Sequence, residues 1–340
     1  MVNLRNLEFK EMEGFIKSLG EPAFRAKQVF SWIYKGVVSF DEMNNVPKAL
    51  REKLAANSYI GRIKPVEVQK SKTDGTRKYL YELEDGNRIE SVFMKYKYGN
   101  SICVSSQAGC RMGCHFCAST RNGLERNLEA GEIISQLMEA ERDTGEKIGH
   151  IVVMGTGEPF DNYENLSKFI RIVNDKQGLN LGMRNITVST CGIVPVIEKF
   201  GSDFPQVNLA ISLHGTTDEI RGGMMPVNKA YPIDVLIPAC REYTEKTGRR
   251  ITFEYTLVNG VNDSDRDADR LCNLLKGMLC HVNLIPLNKV AETGFDTVSR
   301  ERAGEFQQIL DKRGIPATVR RELGADIDAA CGQLRLNNQK

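Results

Sequence analysis

The chain has 340 residues, of which 41% are hydrophobic and 26% charged, with a formal net charge of +2. That length and balance exclude an intrinsically disordered chain and a disulfide-stapled miniprotein, and leave room for one large catalytic domain with a small one appended. No apolar run reaches the roughly 18 residues that a membrane-spanning helix requires, so no membrane association is expected.

The amino terminus, MVNLRNLEFKEMEGF, has neither the apolar stretch nor the small-residue cleavage site of a secretory signal, which predicts a protein of the reducing cytoplasm. In that setting the nine cysteines read as metal ligands, redox groups or core residues rather than as structural bridges. Charge is unevenly spread, with a net +5 over residues 1–100 and a net −3 over the remaining 240. A basic front suits a polyanion such as RNA, although a solvated lysine-rich surface gives the same count.

In chain order, Phe9, Met12, Phe15, Ile16 and Leu19 share one helical face that Gly20 terminates, and Pro22 can open a second helix carrying Phe24, Val29, Phe30 and Ile33. A third helix is predicted from about Pro47 to Ala56. Together they make a compact module with Trp32 in its core. Next come β-rich segments at 77–83 and 88–96, separated by Glu84-Asp85-Gly86-Asn87, a hairpin signal. From residue 101 short apolar runs alternate with helical patterns. Strands are predicted at 102–105, 151–154, 186–189, 207–213, 251–257, 281–285 and 317–320, and a crossover helix at 129–142. Repeated strand–helix units imply a parallel sheet, here an open or closed β/α barrel with its chemistry at the carboxyl ends of the strands.

The most informative stretch follows the first of these strands. Cys110, Cys114 and Cys117 form a C-x₃-C-x₂-C triplet in a Gly-containing loop, with Phe116 before the third cysteine. Three thiolates can hold three irons of a cubane cluster and leave the fourth iron open to a substrate. A closed four-ligand zinc site, recruiting His115 or Cys103, is the other reading of the same residues.

This triplet, placed after a first barrel strand, resembles the signature of the radical S-adenosylmethionine (SAM) superfamily, and Gly155-Thr-Gly157-Glu158-Pro159 resembles the glycine-rich turn that contacts the SAM amino group. The similarity is closest to the RlmN-type methyltransferases that modify adenine C2 in 23S ribosomal RNA and in transfer RNA. It runs through Phe24-Arg-Ala-Lys-Gln28, Cys103-Val-Ser-Ser-Gln-Ala-Gly-Cys110, Arg126-Asn-Leu128, Ser212-Leu-His214, His281-Val-Asn-Leu-Ile-Pro286 and Asp326-Ile-Asp-Ala-Ala-Cys-Gly-Gln-Leu334. Pro159 and Pro286-Leu-Asn288 favour it over the Cfr-type enzymes that methylate adenine C8. Thr156 stands where methionine is commoner in the family, and it flanks the turn rather than forming it. The resemblance implies a partial (β/α) radical SAM barrel over residues 101–325. It further implies an RNA-binding helical accessory domain over 1–60, a β-hairpin linker region over 61–100, and a tail, 326–340, that carries the methyl-accepting cysteine.

By the same resemblance, a [4Fe–4S] cluster on Cys110, Cys114 and Cys117 binds SAM and cleaves it to a 5′-deoxyadenosyl radical. Gly157, Glu158, Ser189, Ser212, Leu213, His214 and Asn288 contact SAM. Cys331 takes a methyl group from one SAM, a second SAM yields the radical that turns it into a methylene radical, and this adds to adenine C2. Glu90 accepts the C2 proton, and Cys103 attacks Cys331 to release product as a transient disulfide. The implied partners are 23S rRNA and tRNA, an electron donor such as flavodoxin or ferredoxin, and a thiol reductant. Cys191, Cys240, Cys272 and Cys280 lack such a context and are assigned to packing. The competing readings are C8 methylation, another radical SAM activity, which leaves Cys103 and Cys331 without a role, and a zinc-bound RNA-binding protein without catalysis.

Overall fold

The structure, a computed structural model, describes residues 1–287, 294–327 and 329. A two-residue strand β1 (Val2–Asn3) pairs in parallel with β2 (Ser58–Tyr59), bringing the two ends of the amino-terminal segment together. Between them lie α1 (Phe9–Ser18), α2 (Phe24–Tyr34) and α3 (Lys48–Asn57). Met12 and Ile16 of α1, Val29, Phe30 and Ile33 of α2, and Leu50 and Leu54 of α3 are buried, as their helical spacing predicts.

These helices do not stand apart from the rest. Their apolar side chains belong to one cluster with those of the barrel strands. Arg5 is fully buried and donates from Nη1 to Ser135 Oγ of α4 (Ala130–Thr144) at 2.9 Å, while its carbonyl accepts the Tyr34 hydroxyl at 3.2 Å. Glu139, also on α4, lies 3.8 Å from Arg5 and is gripped by Arg62 through two bonds of 2.9 and 2.8 Å. Burial lowers the Arg5 guanidinium to about 10, with Glu139 opposing that loss of charge. Removing residues 1–60 would uncover this shared core and take Arg5 away from Glu139, which would keep Arg62 and Arg142 as partners.

Two aromatic residues of α2 also differ from expectation. Trp32 is half-buried, with its indole N–H donated to Asn45 Oδ1 and the Lys35 ammonium 4.8 Å from its ring. An indole N–H needs a partner, and here it finds one only at the rim. Phe24 is 61% exposed beneath the Arg25 guanidinium, 4.7 Å from the ring centre.

After this module the chain enters a ten-stranded sheet. Strands β3 (Lys64–Lys70), β4 (Arg77–Glu82), β5 (Arg88–Tyr96) and β6 (Gly99–Cys103) run antiparallel, and Glu84–Asn87 lies in the turn between β4 and β5. Thus the 61–100 stretch, expected as a linker region, supplies three strands of the same sheet. A small antiparallel ribbon of β7 (Gln107–Gly109) and β8 (Leu124–Asn127) then leads into α4.

The parallel part follows as β9 (His150–Val153), α5 (Tyr163–Asn174), β10 (Ile186–Thr190), α6 (Val194–Asp203) and β11 (Asn208–Ser212). It continues through α7 (Asp218–Met224), α8 (Ile233–Thr247), β12 (Ile251–Leu257), α9 (Asp265–Leu275), β13 (Cys280–Pro286), α10 (Arg300–Lys312) and β14 (Ala317–Val319). All seven predicted parallel strands are present within a few residues of their expected bounds. Spatial order equals chain order from β6 to β14, and β3 and β14 are the two edges, so the barrel is open. No helix among the described residues is long and apolar enough to cross a membrane.

Strand alternation sorts the two faces of the hairpin. Tyr79 and Tyr81 face α4, where their hydroxyls donate to Asp143 Oδ2 at 2.8 Å and to the Gln136 carbonyl at 3.3 Å. Val92, Met94 and Tyr96 point the other way and line a cavity of about 990 Å³ in the open side of the barrel.

Candidate active site

The cysteine loop hangs between the β7–β8 ribbon and a 3₁₀ turn at Ala118–Thr120. Cys110 N–H donates to the Gly123 carbonyl at 2.7 Å, and the Thr120 hydroxyl sits 3.3 and 3.1 Å from the carbonyls of Cys114 and Cys117. Cys110, Cys114 and Cys117 all line one cavity of about 160 Å³, together with Gly157, Glu158, Ser189, Ser212 and His214. These residues come from the ends of β9, β10 and β11, so the carboxyl-end rule for parallel sheets holds here.

The glycine turn packs against the backbone that leads into the cysteine loop. Thr156 carbonyl accepts from Ser106 N–H at 2.9 Å and Gln107 N–H at 3.2 Å. At Gly157, with φ +110°, a Cβ would lie 2.8 Å from Gln107 N, so only glycine fits. The Gln107 side chain completes the joint by accepting Glu158 N–H at 2.8 Å and donating to Asn127 Oδ1 at 2.8 Å. The Glu158 carboxylate is buried and accepts backbone N–H groups of Phe160 at 2.9 Å and Cys191 at 2.7 Å. Burial pushes it above the ordinary carboxylate range, against those two bonds.

His214 has a left-handed backbone, φ +54°, and accepts Thr256 N–H on Nδ1 at 2.9 Å. Burial, with Arg221 nearby, lowers its imidazolium to about 3, so the ring is neutral and carries its proton on Nε2. The Phe116 ring meets it edge-on with centroids 5.0 Å apart.

The thiols suit a multi-iron cluster. Burial pushes Cys110 up to about 12 and raises Cys114 too, so both are neutral thiols until a cationic centre draws off their protons. No three His, Cys, Asp or Glu side chains among the described residues lie close enough to grip a single metal ion. Three soft donors in one cavity wall match a cluster that offers one iron to each thiolate. The side chains that a closed zinc site would recruit lead elsewhere. His115 is exposed with Nδ1 2.8 Å from the Gly223 carbonyl, and Cys103 lines the larger cavity instead.

Cys103, at the end of β6, packs with Val92, Met94, Leu323 and Ala329. The two cavities share Met154, Ile285, Leu287 and Arg320 in their walls, so Cys103 and the thiol loop serve adjoining spaces. Glu90 is buried on β5, on the same strand face as Val92 and Met94, with the Lys78 ammonium 3.2 Å from Oε1. Burial pushes Glu90 up to about 7, Lys78 pulls it down, and Glu67 adds a small upward push. Leu213 is fully buried in the core and does not line the thiol-walled cavity. Asn288 and Cys331 lie outside the described residues.

Three polar side chains of this region carry no marker in the sequence reading. Lys78 reads as an ordinary surface lysine. Arg320 lines both cavities from just beyond β14. Glu254 sits buried in β12 beside the thiol-lined cavity, where Asn283 donates to it at 2.8 Å. A single acid inside the apolar run Ile-Thr-Phe-Glu-Tyr-Thr-Leu was the available signal for it.

Comparison with known proteins agrees with this geometry. Residues 2–60 match the ribosomal RNA large subunit methyltransferase N-terminal domain, and residues 104–272 match the radical SAM superfamily. A probable dual-specificity RNA methyltransferase RlmN of Alkaliphilus oremlandii is 55% identical over 334 residues, covering 98% of this chain and 97% of that protein. One of Clostridium perfringens is 55% identical over 336 residues, with the same two coverages. The crystal structure of a radical SAM methyltransferase from Sphaerobacter thermophilus superimposes with a TM-score of 0.94 at 47% identity, covering 98% of this chain and 99% of that one.

Proposed function

The chain belongs to the RlmN family of dual-specificity RNA methyltransferases within the radical SAM superfamily, whose cofactors are a [4Fe–4S] cluster and SAM, and from that premise we propose that it methylates C2 of an adenine in 23S rRNA and in tRNA. The observation that carries this reading is the pairing of cavities. One is walled by three cysteines, and the other holds Cys103 against Ala329, two residues before Cys331 in the chain.

A cluster held by Cys110, Cys114 and Cys117 would supply the electron that cleaves SAM and would take back the odd electron left on the adenine adduct. Gly157, Glu158, Ser189, Ser212 and His214 border the place where SAM would lie, and the neutral His214 offers it an N–H rather than a second positive charge. Cys331 acts first as a nucleophile toward a sulfonium methyl, and its S-methyl carbon, once stripped of a hydrogen atom, bonds adenine C2. Glu90 removes the C2 proton. The Cys103 thiolate then attacks the Cys331 sulfur, the carbon–sulfur bond breaks with its electron pair on the methylene carbon, a proton from solvent completes the new methyl group, and a disulfide remains for external thiols to reduce. The need for such thiols, and for an electron donor such as flavodoxin or ferredoxin, suits a cytoplasmic setting. The net +5 of residues 1–100 supports a role for the front of the chain in gripping RNA phosphates.

Mass spectrometry of adenosines from cells lacking the protein tests the assignment. The 2-methyladenosine of both 23S rRNA and tRNA should disappear. Loss of 8-methyladenosine instead would transfer the enzyme to C8 chemistry, and an unchanged nucleoside profile would end the RNA methylation reading.

The Glu90–Lys78 pair gives a pH signature. A carboxylate raised to about 7 is a base only above that pH, so formation of methylated RNA should rise as pH increases through neutrality and then level off. Cleavage of SAM over the same range should stay flat. Lys78→Met removes the partner that draws Glu90 down and should move the inflection to higher pH. Glu90→Gln should slow methylated RNA formation by about 10²-fold or more. A flat profile near neutrality in the wild-type protein, or a normal rate in Glu90→Gln, would take the proton acceptor's role away from Glu90.

A further inference from the structure

The turn between β3 and β4 and the start of the carboxyl-terminal tail lie some 250 residues apart in sequence and are joined by a reciprocal pair of hydrogen bonds. Gly324 N–H donates to Asp74 Oδ2 at 2.9 Å, and Lys72 N–H donates to Asp326 Oδ2 at 2.9 Å. Each side thus gives one backbone donor and one carboxylate.

Asp74 is itself fixed by its turn. Its Oδ1 accepts Thr76 N–H at 3.0 Å, and Ser71 N–H donates to the Thr76 carbonyl at 2.8 Å. Although burial pushes the other way, the bonds from Gly324, Thr76 and Ser71 hold Asp74 down at about 2, so it is ionised and its bond to Gly324 is charge-assisted. The contact is also close. At Gly324, φ +63°, a Cβ would stand 2.8 Å from Ala329 Cβ and 2.9 Å from Thr76 Cγ2.

Beyond Gly324 the chain makes a short 3₁₀ turn. Ile327 N–H and Ala329 N–H both donate to the Gly324 carbonyl, at 3.1 and 3.2 Å. This turn lays Ile327 and Ala329 against Val92, Met94 and Cys103 in the wall of the larger cavity. Among the described residues, the backbone and carboxylate bonds that join the root of the tail to the β3–β4 turn are made by Gly324 and Asp326, beside the apolar packing of Leu323, Ile327 and Ala329.

We propose that Asp74 is a positioning residue for methyl transfer, and that the Asp74–Gly324 and Lys72–Asp326 clasp anchors the root of the tail so that Cys331 works between the SAM cavity and Cys103. The proposal rests on the two-cysteine reading above. A nucleophile that must reach a sulfonium methyl, an adenine carbon and a partner thiol benefits from a fixed anchor close by in the chain. Cys331 is the second residue after Ala329, so their Cα atoms are at most about 7 Å apart.

The test compares wild-type protein, carrying its cluster, with Asp74→Ala, Asp74→Asn and Asp326→Ala. The 5′-deoxyadenosine released per methylated adenosine should rise about tenfold or more in Asp74→Ala, as expected when one charge-assisted hydrogen bond is lost. Iron content and the thermal midpoint should stay near wild type, and limited proteolysis should cut faster beyond residue 322. Asp74→Asn keeps an oxygen acceptor for Gly324 and should recover much of the coupling. Asp326→Ala changes an exposed side chain at the other half of the clasp and should uncouple in the same direction, so the proposal stands or falls on it should Asp74→Ala fold poorly. Unchanged coupling and an unchanged cleavage pattern in both alanine variants would overturn the clasp. Should Cys331→Ala still methylate RNA, the two-cysteine reading itself fails, whatever the clasp variants do.

Discussion

Cys114→Ala should lower the release of 5′-deoxyadenosine from SAM to the uncatalysed background. Cys114 stands in the middle of the loop, and its side chain packs near Met112, Phe116, Cys191 and Met224. Losing one thiolate leaves two protein ligands for a centre that requires three, and a cluster so held is lost rather than weakened. Purified anaerobically, the wild-type protein should be brown and contain iron and acid-labile sulfide, whereas the variant should be pale. The fold should survive, because the loop is held by bonds from Cys110, Thr120 and His115 that the substitution does not touch. Normal 5′-deoxyadenosine release by a folded Cys114→Ala protein would remove the cluster assignment, and colourless wild-type protein loaded with zinc would favour a binding protein without catalysis.

The second large effect concerns the order of events. In the two-cysteine route, carbon–carbon bond formation leaves the RNA tethered through a methylene to Cys331, and only a second thiol can resolve it. Cys103→Ala should therefore accumulate a covalent protein–RNA adduct that survives denaturation and is removed by nuclease but not by reductant. Cys331→Ala should form no adduct, because it has no sulfur to carry the carbon. Both variants should keep iron and sulfide at the wild-type level. The site makes Cys103→Ala a mild change for folding, since Cys103 packs among Val92, Met94 and Ala329 and an alanine there removes one sulfur from an apolar wall. A Cys103→Ala protein that forms 2-methyladenosine at the normal rate and carries no cross-linked RNA would return Cys103 to the role of a buried strand residue.

Much of the fold was legible because its strands are apolar runs with defined ends. The seven strands of the parallel part are short segments rich in Ile, Val, Leu and Thr set between helical patterns, and α4 announces itself through a capping box of Glu129 and Glu132. Strand β3 escaped notice because Lys-Pro-Val-Glu-Val-Gln-Lys is a polar edge strand with little burial, the composition that discourages further pairing. The β7–β8 ribbon is too short to show a period, and it exists because Gln107 and Asn127 meet.

At the site, the cysteine spacing and the glycine turn are local in sequence, so they could be read directly. The partners of those residues are not local. Lys78 is buried because the β4–β5 hairpin brings it to Glu90, and a lysine between Arg77 and Tyr79 gives no hint of that. Leu213 illustrates the reverse. It lies between Ser212 and His214, which line the thiol-walled cavity, yet its own side chain is buried in the core just past the end of β11.

Because the parallel strands stand beside one another in the order in which they are synthesised, each new strand finds its neighbour already made. The barrel can therefore grow vectorially, from β6 outward, with little loop-closure cost at any step. The amino-terminal helices gain their anchor as soon as α4 has emerged. The clasp between Asp74 and Gly324 is different, since it closes a loop of 250 residues and waits for nearly the whole polypeptide. Assembly thus has a built-in sequence: the parallel sheet can form early, and the contact between the β3–β4 turn and Gly324 is fastened last.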